Sequence, residues 1–62
     1  MNFKFPSLQD CHNASNELSK YFSGNGIHYE TNVHEWGIKL LSSCPDMHKG
    51  REICMRHGGA PR

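Results

Sequence analysis

Two cysteines and two histidines, Cys44, His48, Cys54 and His57, fall within a span of fourteen residues, CPDMHKGREICMRH. Thiolates and imidazoles are the side chains that hold structural zinc, and a thiol beside an imidazole is how a cysteine nucleophile is made. Spacing argues against both. Structural zinc needs four donors about 2 Å from a single ion. On one continuous helix, Cys44 and His57 stand about 20 Å apart along the axis. Cys44 and His48 share a face, as do Cys54 and His57, but the two pairs meet only if the helix breaks at Lys49-Gly50. Three residues separate the first pair and two the second, which matches none of the standard finger patterns. A nucleophile at Cys54 would also need an orienting group, an oxyanion donor and a pocket. The stretch is therefore read as the face of a docked helix, where a buried thiol behaves as a small hydrophobe. No metal or cofactor is expected; Cys44, His48, Cys54 and His57 are the zinc set if the helix breaks.

The other histidines are His12, His28 and His34. Two of them could serve a ribonuclease as acid and base, with Lys39 or Arg51 holding phosphate, but nothing in their spacing selects a pair. The chain is not expected to be an enzyme. A nucleic-acid interface has more to offer it, from Lys49, Arg51 and Arg56 with His48 and Arg62 as phosphate contacts. Against that reading, Glu52 interrupts the basic run and no aromatic-and-basic RNA motif is present.

The elements that would position these residues follow from periodicity. Ser7 caps a helix over 8–22, with Asp10 in a capping-box-like position. Leu8, Cys11, Ala14, Leu18, Tyr21 and Phe22 recur at three- and four-residue steps as its apolar stripe. Ser23-Gly24-Asn25-Gly26 ends it; the same glycines make a poor phosphate loop, because the chain leaves a helix there. Residues 27–33 then alternate, with Ile27, Tyr29, Thr31 and Val33 on one side, and Trp36, Ile38 and Leu40 resume the pattern. Period two with β-branched and aromatic residues predicts strands over 27–33 and 36–42. A rival helix would start at Asn32 with Glu35 at its third position, which would make the domain three-helical. Phe3 and Phe5 alternate ahead of Pro6, either as a first strand or as a tail tucked into the core. The last helix spans 45–57, with Pro45 in its first turn, Gly50 in its interior, and Gly58-Gly59 as its C-cap.

These elements give an α+β domain in the order β-α-β-β-α, with both helices on one face of a two- or three-stranded sheet. Phe3, Phe5, Leu8, Leu18, Phe22, Ile27, Tyr29, Val33, Trp36, Ile38, Leu40 and Ile53 are its expected core, and 58–62 its flexible tail. The 62 residues allow one domain, with the marginal stability of chains that bury only about 60% of their unfolded surface. Three cysteines are an odd number and suit a reducing, cytoplasmic setting rather than a disulfide framework. The opening residues carry no apolar signal region, and no run approaches the roughly eighteen residues of a membrane helix. Net charge is +1, divided as −1 over residues 1–43 and +2 over 44–62, a mild bias rather than a basic arm.

The function expected is that of a small non-enzymatic regulator or inhibitor that binds another protein, of the kind phage and plasmid accessory genes encode. The alternative is a DNA- or RNA-binding module using 48–62. Leu41, Lys39, His48, Lys49, Arg51 and Arg56 are the candidate contact residues. A strand edge or the Leu41 face is expected to join a homodimer.

Overall fold

A computed structural model describes residues 1–22 and 26–62. The expected cap at Ser23, Gly24 and Asn25 lies outside the described residues. Six elements follow one another: β1 (Asn2–Lys4), α1 (Leu8–Tyr21), β2 (Tyr29–Asn32), β3 (Gly37–Leu40), α2 (Met47–Arg56) and β4 (Ala60–Pro61). The strands form one antiparallel sheet in the order β2-β3-β1-β4. This is the α+β fold and the β-α-β-β-α order read from the sequence, with a fourth strand added at the C-terminus.

Local chemistry sets the helix ends. The Ser7 hydroxyl accepts the Asp10 N–H at 3.1 Å and donates to the Asp10 carboxylate at 2.9 Å, so two groups of the first turn are satisfied by each other. Asp46 caps α2 by accepting the Lys49 N–H at 3.0 Å. Pro45 therefore precedes the helix instead of entering its first turn. At the other end Gly58 adopts φ +86°, its N–H reaches Met55 O, and the Gly59 N–H reaches Cys54 O at 2.8 Å. Those two bonds make a Schellman motif, which needs the left-handed conformation that glycine supplies freely.

That motif turns the chain back towards the sheet, and this overturns the expectation of a flexible tail at 58–62. Ala60 pairs with Lys4, Pro61 with Phe3, and the Arg62 N–H donates to Asn2 O at 2.8 Å. The sequence signal was weak because two residues with a proline are too few to show period two.

The core lies between the sheet and the helices. Phe3, Phe5, Leu18, Phe22, Tyr29, Ile38, Leu40 and Ile53 are buried as expected, joined by Cys11, Ala14, Cys44 and Cys54. Gly50 is also buried, and a Cβ there would stand 3.1 Å from Leu40 Cδ1; α2 approaches β3 closely because this position has no side chain. Four expected core residues are exposed instead: Leu8, Ile27, Val33 and Trp36. Leu8 sits in the first turn of α1, before the helix runs under the sheet. Ile27 is 63% exposed because β2 starts only at Tyr29, so the alternation outruns the strand. β3 likewise occupies 37–40 rather than 36–42. Val33 and Trp36 belong to the turn between the strands.

The turn also explains the rival helix. Asn32 Oδ1 accepts from the N–H groups of His34 (3.2 Å) and Glu35 (3.3 Å), and Asn32 Nδ2 donates to the Glu35 carboxylate at 3.1 Å. The Asn32–Glu35 capping signal is present, but it closes a four-residue hairpin loop rather than opening a helix.

Candidate functional site

The four residues of the CPDMHKGREICMRH stretch do not converge. Cys44 is buried ahead of α2, His48 is exposed in its first turn, Cys54 faces the core and His57 caps the far end. His57 Nε2 lies 2.7 Å from Glu17 Oε1, and Arg56 pairs with the other oxygen of the same carboxylate. Among the described residues, no group of three or more His, Cys, Asp or Glu side chains is arranged to hold a metal ion. All three thiols are free and buried. Burial pushes the Cys54 thiol up to about 12, and the neighbouring Cys11 and Cys44 add to the effect. Such a thiol stays protonated at neutral pH, so it is a packing group rather than a nucleophile.

The basic residues of α2 are largely engaged. Besides the Arg56–Glu17 pair, Lys49 lies over the Tyr21 ring at 4.7 Å and near Glu52 at 3.8 Å. Of the expected helix contacts, His48 and Arg51 stand exposed and make no ion pair among the described residues. Leu41 is half-buried past the end of β3, its N–H donating to His28 O at 3.0 Å.

The open surface is the other side of the sheet. Antiparallel partners share a face, so the register Glu30–Lys39–Asn2 across β2, β3 and β1 lines up three exposed side chains. Arg62 extends that row beside Asn2. The next row is Asn32–Gly37–Lys4–Ala60. Gly37 leaves it low on the β3 side, and a depression of about 420 Å³ opens there, bordered by Asn2, Glu30, Asn32, Glu35, Lys39 and Arg62. Neither row carries an apolar side chain larger than alanine.

Charge on this face is divided. Lys39, Lys4 and Arg62 occupy the β3–β1–β4 side, while Glu30 and the Glu35 turn occupy the β2 side. At the rim stands Trp36, 41% exposed and with φ 51°. Left-handed backbone is costly for a bulky residue, about 1–2 kcal/mol. The Trp36 C=O accepts from the Phe5 N–H at 2.8 Å. Lys4 holds the turn from the other side, its ammonium donating to Glu35 O and lying 5.8 Å from the indole centroid. The turn backbone is thus held on both sides, and the indole stands partly exposed beside Lys4.

Of the residues gathered here, the alternation puts Glu30, Asn32, Gly37 and Lys39 on the outer side of the two strands, and Arg62 enters only beside the last helix. Asn2 and Lys4 were legible as the outward partners of Phe3 and Phe5. Trp36 was misassigned because it continues the alternation of Ile38 and Leu40; the one contrary signal is the Asn32–Glu35 turn chemistry just before it.

In comparisons with known proteins, no family model, no curated protein and no solved structure matches this chain. Among the described residues, no helix is long and apolar enough to cross a membrane.

Proposed function

We propose that this is a small non-enzymatic binding protein, a regulator or inhibitor that acts by docking its open sheet face on another protein. The observation that supports the reading is Trp36. The indole lies outside the buried core and is 41% exposed, and its backbone conformation lowers stability. The compensation a sequence gains from such a residue is at a contact surface, where tryptophan is a frequent anchor. The surrounding amides and charges form the polar rim that such an anchor needs.

Affinity capture from the native host, read by mass spectrometry, tests the proposal when the wild type is run beside Trp36→Gly. Glycine accepts the same backbone angle, so circular dichroism of the variant should match the wild type. A partner held by the wild type and lost by the variant is the expected result. Identical capture profiles for the two folded proteins would sink it. A salt titration against generic DNA is expected to show no salt-sensitive binding; a steep salt dependence would move the assignment to nucleic acid.

A further inference from the structure

We infer that the β3–β1–β4 side of the open face takes an acidic, extended polypeptide segment, with Trp36 packing on an apolar side chain of the same segment. The inference rests on the protein-binding reading above and names the chemistry of the partner. Lys39 and Arg62 flank Asn2 from the two neighbouring strands, and Lys4 stands one row further along β1. No acidic side chain of the described residues pairs with any of these three cations. β3 and β4 lie two strand spacings apart, about 10 Å, so Lys39 and Arg62 can receive two separate carboxylates.

The shape of the surface selects an extended chain. The depression lies over Gly37 with Lys39 and Arg62 on its border, and a backbone can approach there while its side chains reach those cations on one side and the indole on the other. The distance from β3 to β4, about 10 Å, is one that about three extended residues span. Amide groups at Asn2 and Asn32 offer donors and acceptors to that backbone.

The mixed charge separates a polypeptide from a nucleic acid. A single strand carries a phosphate at every step, and its backbone would meet Glu30 in the same row as Lys39. A polypeptide can place carboxylates over the cations and leave neutral or basic residues opposite Glu30. Charge complementarity of this kind governs partner choice and association rate.

The test is fluorescence anisotropy with three labelled probes, each about twelve units long: a peptide alternating glutamate with alanine and bearing one proline, its lysine counterpart, and oligothymidylate. The acidic peptide is expected to bind at least about tenfold tighter than the lysine peptide. The double variant Lys39→Glu, Arg62→Glu should reverse the order, while its circular dichroism stays that of the wild type. Equal affinities for the two peptides, or tighter binding of oligothymidylate, would overturn the inference. The same double variant separates this inference from the general reading in the capture experiment. A partner lost by Trp36→Gly but fully retained by Lys39→Glu, Arg62→Glu would remove the acidic segment and leave the docking surface standing.

Discussion

At the scale of single residues, Cys54 and Gly59 show how closely the core is filled. A thiol raised from its ordinary 9.0 to about 12 by burial is held protonated by the fold. The unfolded chain releases that proton first as pH rises, so the stabilisation is complete below pH 9 and is lost between 9 and about 12. The slope expected from one such group is about 1.4 kcal/mol per pH unit. Urea unfolding at stepped alkaline pH checks it, and Cys54→Ala should flatten the curve whatever it does to the neutral-pH stability. Gly59 is tighter still. A Cβ there would stand 2.7 Å from the Cys54 carbonyl oxygen and 2.9 Å from Phe5 Cε2, and the carbonyl belongs to the helix end. Gly59→Ala should cost about 1–3 kcal/mol as an overpacking change, measurable as a lower thermal midpoint. An unchanged midpoint would mean that β4 had moved away.

Among the elements, the hairpin from β2 to β3 sets the position of Trp36 through the Asn32–Glu35 turn. Asn32→Ala removes two accepted hydrogen bonds at the turn and should lower stability by about 1 kcal/mol. Trp36→Gly should do the reverse, keeping or raising stability by up to about 1 kcal/mol as the left-handed strain disappears. Denaturant midpoints of the two variants decide both, and a large loss in Trp36→Gly would mark the indole as a structural group. The same hairpin shows how far sequence alone reaches. The Ser7 cap of α1, the glycine C-cap of α2, the two inner phenylalanines and the Ile38–Leu40 alternation are legible because each is a local pattern with its own physical cause. Period two does not say where a strand stops, however, so Ile27, Val33 and Trp36 were carried into the core by a pattern that continued past the hydrogen-bonded ladder. β4 and the open face were illegible for a different reason. They depend on a return of the chain through Gly58, which local periodicity does not encode.

For the whole molecule, the two sheet edges are unlike. β4 is two residues long and contains Pro61, which blunts it. β2 is four residues without proline, so a homodimer of the kind the sequence reading expects would form along β2. Sedimentation at micromolar concentration is expected to show such a dimer, with amide protection over Tyr29–Asn32 rising with concentration. A monomer throughout the range would leave that edge free for the partner.

The inner position of β1 has a consequence for synthesis. This strand is the first of the six elements to leave the ribosome, yet its partners are residues 37–40 and then 60–61. During translation Phe3 and Phe5 therefore wait uncovered while α1 and the hairpin emerge, and the sheet closes only after β4 has been made. Long-range pairing of this kind slows closure relative to a helical chain of equal length. A nascent chain halted before Ala60 would carry an open sheet edge along β1, the surface that chaperones and neighbouring chains find first.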